Sequence, residues 1–161
     1  MDREPPAFES FFEEQKERLL RILSVITGSR AEAEDLAQEA FTRVFERWGA
    51  VGSMVDPAGY LHRTAMNLFR NQYRRARVAL ARTVGFGPER DVFEHVEDRD
   101  AAARALAALT PRQRAALVLT EALGYSGEEV GQLLGIKAST VWALTHQART
   151  ALRGSAEETD G

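Results

Sequence analysis

The sequence predicts an all-α protein: two small helical domains joined by a flexible acidic linker, the C-terminal one carrying a helix-turn-helix. Three observations predict it. Alternating β-branched runs are absent, while Ala, Leu, Arg and Glu, all good helix formers, dominate the 161 residues. Between two helical stretches, residues 83–100 (TVGFGPERDVFEHVEDRD) combine Gly85, Gly87 and Pro88 with an acidic run and show no helical period. Near the C-terminus, a short amphipathic segment stops at Gly135 and another begins within two residues. Hydrophobic residues at 44% and charged residues at 28% match a globular chain, which argues against a wholly disordered, collagenous or coiled-coil protein.

In chain order, the first helix is expected from about Ala7 to Ile26, ending near Gly28. A second begins around Ser29, with Leu36, Ala40, Phe41, Val44, Phe45 and Trp48 recurring at helical spacing as one buried stripe, broken by Gly49 and Gly52. Asp56-Pro57 supplies an N-cap followed by proline in the first turn, so a third helix starts there and runs to about Leu80. Beyond the linker, Ala101–Leu109 reads as a helix. Thr110-Pro111-Arg112-Gln113 and Ser126-Gly127-Glu128-Glu129 are capping boxes opening a helix through Leu123 and a short one over Glu128–Leu134. The last helix spans about Lys137 to Arg153. The expected domains are therefore 7–82 and 101–153, with the linker 83–100 between them and 154–161 a disordered tail.

The formal charge of −3, from 21 basic and 24 acidic side chains, hides a segregated pattern. Residues 57–82 hold six arginines and no acid, and no acid occurs until Glu89. On the helix expected there, Arg63, Asn67, Arg70, Arg74 and Arg77 fall within a narrow arc, opposite Leu61, Ala65, Leu68, Gln72 and Ala76. An acid-free ladder of guanidinium groups on an acidic protein points to an anionic partner.

Other chemistry finds no frame. The chain has no cysteine, which excludes a disulfide scaffold, a Cys-ligated zinc site and a thiol nucleophile. His62, His95 and His146 lack ligand spacing and read as surface or interface histidines, so no metal is expected. Gly85-Phe86-Gly87 is neither a P-loop nor a dinucleotide fingerprint, and Glu94, Glu97 and Asp98 lie in the linker, where no rigid frame sets an acid against a base. Neither an enzyme nor a cofactor is expected. The N-terminus lacks a signal-peptide core and no run reaches membrane-spanning length, so the reading is a soluble, cytoplasmic protein without membrane insertion.

Two stretches together carry a resemblance. LTPRQRAALVLTEALGYSGEEVGQLLGIKASTVWALTHQARTALR resembles the fourth region of bacterial sigma factors; AEAEDLAQEAFTRVFERW followed by DPAGYLHRTAMNLFRNQYRRAR resembles the second. Their order and spacing over residues 8–153 are similar to an extracytoplasmic-function (ECF) sigma factor of the sigma-70 superfamily. The resemblance implies a factor that binds core RNA polymerase, directs it to a class of promoters and helps open the duplex. Implied partners are the polymerase, through its clamp helices and flap, promoter DNA and an anti-sigma factor.

Residue by residue, Asp35, Leu36, Gln38, Glu39 and Phe41 match the family's DLxQExF polymerase-binding stretch, although Leu36 and Phe41 also fit the buried stripe of their helix. Arg63, Asn67, Arg70, Asn71, Arg74, Arg75 and Arg77 match its promoter-opening helix, with Asn71 where the family often has Asp. Tyr60, Phe69 and Tyr73 can stack on unpaired bases, and Phe69 also fits the core. The resemblance places a flipped-out base at the apolar loop Gly49–Val55. In the helix-turn-helix, Lys137, Ser139, Thr140, Trp142, His146 and Arg149 match the DNA-reading positions. Here the chain departs from the family: Lys137 replaces a Ser cap, and Trp142 stands after Thr140-Val141, where Lys or Arg is usual. Two rival readings remain: a stand-alone helix-turn-helix regulator, and a polymerase-binding adaptor that has lost promoter reading.

Overall fold

The computed structural model describes residues 6–82 and 101–160, and among them all regular structure is helical. The described residues form two compact units, one drawing on 6–23 and 31–82, the other on 24–30 and 101–160. The expected linker lies outside the described residues.

Helix α1 (Phe8–Thr27), which belongs to the first unit as far as Leu23, is followed by a turn at Gly28, whose φ of +72° is the left-handed conformation that glycine adopts without strain. Helix α2 (Arg30–Glu46) buries Leu36, Ala40, Phe41 and Val44, as its 3.6-residue period dictates. Phe45 departs from the expected stripe. It is 59% exposed, one helical step past Val44, with its ring edge against Phe8 at 5.0 Å. Trp48 is half-buried, and its indole N–H donates to the Pro6 carbonyl at 2.9 Å. The chain breaks at Arg47 (φ −113°, ψ 17°) rather than at the glycines, and Gly49 sits inside the one-turn helix α3 (Trp48–Val51).

Helix α4 (Pro57–Arg82) starts where the cap predicts: the Gly59 amide donates to Asp56 Oδ1 at 3.0 Å, satisfying one of the first-turn N–H groups that have no helical acceptor. Leu61, Ala65, Met66, Leu68 and Phe69 are buried, each large side chain contributing about 1.5–3 kcal/mol of transfer free energy. Packing ends there. Gln72 and Ala76, expected on the packed face, are exposed.

In the second unit, α5 (Ala101–Ala107) leads to α6 (Pro111–Leu117). The Thr110/Gln113 capping box forms fully, at 3.2 and 2.9 Å. The segment to Leu123, expected as continuous α-helix, widens into a π-turn over Val118–Ala122, with the Leu123 amide donating to the Val118 carbonyl at 3.1 Å. Thr120 Oγ1 donates back to the carbonyls of Ala116 and Leu117, competing with the ladder at that point. Helix α7 (Gly127–Leu134) opens on the Ser126/Glu129 capping box and ends at Gly135, φ +67°. Helix α8 (Ala138–Asp160) follows after two residues. It runs through the segment expected to be a disordered tail, because Ala156, Glu157 and Glu158 are strong helix formers and Ser155 Oγ bonds back to the Ala151 carbonyl. Val130, Leu134 and Val141 clamp α7 to α8. Arg114 is also buried, its guanidinium donating to the carbonyls of Leu106 and Leu109 at 3.1 and 2.8 Å.

Candidate nucleic-acid and partner interfaces

On α4, Arg63, Asn67, Asn71, Arg74, Arg75 and Arg77 are exposed and Arg70 is half-buried. From Arg63 to Arg77 the row spans about 21 Å at 1.5 Å per residue. Among the described residues, none of these arginines makes an ion pair. The Arg70 Nε is buried without a hydrogen-bond partner. Two guanidinium groups about 6 Å apart on successive turns repel by about 0.7 kcal/mol even at the dielectric of water, so the ladder costs stability until an anion neutralises it. A phosphate backbone does so with paired charge-assisted bonds. The aromatic candidates separate by burial. Phe69 belongs to the core, while Tyr73 is half-buried between the Phe69 ring and the Arg77 guanidinium, both 5.9 Å away. Tyr60 is half-buried beside Arg47, with Nη1 and the phenol oxygen 3.5 Å apart. At the α3–α4 turn, Met54 and Val55 stand out into solvent.

On α2 the candidate partner face resolves into two sets. Asp35, Gln38 and Glu39 are exposed, Glu39 pairing with Arg43 at 2.9 Å. Leu36 and Phe41 are 4% and 6% exposed and belong to the core beneath this face. Beside this face, α1 and α2 form a groove of about 540 Å³ lined by Phe8, Phe12, Leu20, Phe41 and Phe45, which sequence reasoning missed. Its signal was the i,i+4 spacing of Phe8 and Phe12, whose outward face belongs to neither core nor charge.

On α8 and the turn before it, Lys137, Ser139, Thr140, Trp142, His146 and Arg149 are all exposed, on the side away from the buried Val141, Thr145 and Ala148. Arg149 is ion-paired to Glu121 on the π-turn, and Gln147 accepts from the Gln113 side-chain amide at 3.2 Å. Trp142 is 69% exposed, its indole parallel to the His146 ring.

His62 corrects the surface reading. It is 7% exposed, and burial, with Arg18 nearby, lowers its pKa below the ordinary 6.5 despite the opposing pull of Asp56. Among the described residues no cluster of three His, Asp or Glu side chains could hold a metal ion, and no helix is long and apolar enough to cross a membrane.

These candidate faces fall in two recognised segments. Residues 11–78 match sigma-70 region 2 and residues 99–152 match sigma-70 region 4. The chain is also 31% identical to the ECF RNA polymerase sigma factor SigL of Mycobacterium tuberculosis, over 92% of its own length and 88% of that protein's. It belongs to the ECF sigma factors. Identity to the ECF sigma factor SigE of Mycolicibacterium smegmatis is 33% over 92% of this chain, which spans 61% of that longer relative. Among solved structures, the fold matches the sigma factor RpoE of Bartonella quintana, co-crystallised with the anti-sigma factor NepR, at a TM-score of 0.65 and 21% identity, covering 93% of this chain and 96% of that one. This sigma factor thus carries the arginine ladder in region 2 and the helix-turn-helix in region 4, and its function is DNA-binding transcription initiation with core RNA polymerase.

Proposed function

We propose that three faces divide the work of initiation between named residues. Asp35, Gln38 and Glu39 bind a basic surface of core RNA polymerase. Arg63, Asn67, Arg70, Asn71, Arg74, Arg75 and Arg77 hold the promoter backbone and the separated strand, with Tyr73 offering a stacking face beside them. Lys137, Ser139, Thr140, Trp142, His146 and Arg149 lie in the major groove upstream. The factor makes and breaks no bonds, acts in the cytoplasm where the polymerase works, and is held in reserve by an anti-sigma partner. The observation that carries the reading is the acid-free ladder on α4: five exposed or half-exposed arginines without an internal counter-ion.

The test is fluorescence anisotropy of the labelled full chain with core RNA polymerase, wild type against Asp35→Arg. Tight binding by the wild type, weakened at least tenfold by the charge reversal, is expected. No binding at moderate salt would leave a free-standing DNA-binding module, and equal binding by both would move the polymerase contact off α2.

A further inference from the structure

The helix that enters the groove shows little of the charge that DNA-reading helices use. Of the cations on and just before α8, Arg149 is tied to Glu121, leaving Lys137 before the first turn and Arg153 four turns on. Gln147, a side chain that could bond base edges, is joined to Gln113. What stands out on this face is an aromatic plate: Trp142 is 69% exposed, and its ring lies over His146, one turn later, with centroids 5.3 Å apart and planes 7° from parallel. Large exposed aromatic surface is costly in water unless something covers it.

We propose that Trp142, oriented by His146, is the specificity-determining residue of the helix-turn-helix and selects thymine in the upstream promoter element; this rests on the reading of α8 as the major-groove helix. Each base pair shows a different edge there. Thymine alone pairs an acceptor, O4, with a methyl group. An indole has one donor, Nε1–H, no acceptor, and a broad apolar face. Its free face covers the methyl, the group that no other base presents in this groove. Cytosine and adenine present amino donors for which an indole has no acceptor, and although adenine N7 could accept its N–H, neither base offers a methyl for the ring to cover. Guanine presents two acceptors, O6 and N7, which a fork of donors would satisfy and a single N–H does not. The stack on His146 limits the rotamers of Trp142, so less side-chain entropy is lost on contact. Because the contact is apolar, sequence preference is nearly independent of salt, whereas the ladder on α4 supplies the salt-dependent part of binding.

The experiment uses the full chain assembled with core RNA polymerase. Duplexes randomised over about ten base pairs of the upstream element, one helical turn, are selected by the holoenzyme. The winning duplex is then remade with deoxyuridine for thymidine, which removes only the methyl. Thymine enrichment is expected, with affinity falling about fourfold for each contacted methyl lost. Trp142→Ala should bring the thymidine/deoxyuridine ratio to about one at every salt concentration. His146→Ala should reduce that ratio while leaving the salt slope unchanged, which a general loss of folding would not do. Equal affinity of the wild type for both duplexes, or a ratio that survives Trp142→Ala, overturns the assignment while leaving α8 a DNA-binding helix. Selection of no upstream sequence at all overturns both.

Discussion

The amide of Ile136 donates to the Gly131 carbonyl at 2.9 Å, and the Ile136 carbonyl oxygen stands 2.7 Å from where a Cβ on Gly131 would lie. The turn of the helix-turn-helix therefore closes over a residue that must lack a side chain. The obstacle is backbone held by the left-handed turn at Gly135, so it cannot rotate aside. Gly131→Ala is expected to cost about 1–3 kcal/mol through overpacking. Calorimetry should show a Tm lowered by several degrees, roughly 4 °C or more. Polymerase binding, placed on α2, should persist while upstream promoter selection is lost.

A different outcome is expected at Gly59, where an added Cβ would lie 2.2 Å from Asp56 Oδ2. Here the obstacle is the end of a side chain, which can swing away at the cost of the bond from the Gly59 amide to Asp56 Oδ1. Asp56→Ala alone should destabilise by about 1 kcal/mol, the worth of an N-cap. Gly59→Ala should lose the same cap yet gain helix propensity, up to about 1 kcal/mol, and so come out near neutral. In the Asp56→Ala background the clash is gone and Gly59→Ala should stabilise. Urea denaturation of the four proteins in a double-mutant cycle measures this, and strict additivity would show that the cap and the glycine are not coupled.

These contacts explain what was legible in the sequence. Asp56 with Gly59, Thr110 with Gln113 and Ser126 with Glu129 bond across three residues, so residue types at fixed spacing announce them. The arginine ladder is equally local, because helical periodicity alone places its members in one row. Contacts between distant segments left no local trace. Glu121 with Arg149 spans 28 residues and Gln113 with Gln147 spans 34, and both engage polar groups of α8. The π-turn that carries Glu121 was also hidden, since Val118–Ala122 has ordinary helical composition. Phe45 shows the limit of periodicity: it lies at the edge of the apolar stripe, where only the packing of α1 against α2 decides between core and groove. The sequence reads His62 as a surface or interface group because burial set by tertiary packing leaves no local pattern around a histidine.

The ladder makes its own quantitative prediction. Each exposed arginine that contacts a phosphate should contribute about one unit to the slope of log affinity against log salt. Arg74→Ala, and more so Arg70→Ala with Arg74→Ala, should flatten the holoenzyme's slope on promoter fragments stepwise. Reactivity of unpaired thymines towards permanganate should fall in parallel, while affinity for core polymerase stays unchanged. Arg21→Ala, an exposed arginine on α1, should leave the slope as it is. A slope unmoved by the double substitution would place the phosphates elsewhere.

The last prediction concerns acid. In the folded protein His62 is buried, with the Arg18 charge nearby, and its pKa lies below the 6.5 of an unfolded chain. Below about 6.5 the unfolded state therefore takes up a proton that the folded state refuses. Stability should be level above that value, fall as pH drops through it, and level off again below the folded-state pKa. Arg18 adds to the shift and Asp56 opposes it, so the drop is smaller than burial and Arg18 together would give. Thermal unfolding of the full chain between pH 7.5 and 5.5 should show this slope, and His62→Gln should flatten it whatever it does to the absolute Tm. A variant with the wild-type slope would assign the pH dependence to other groups.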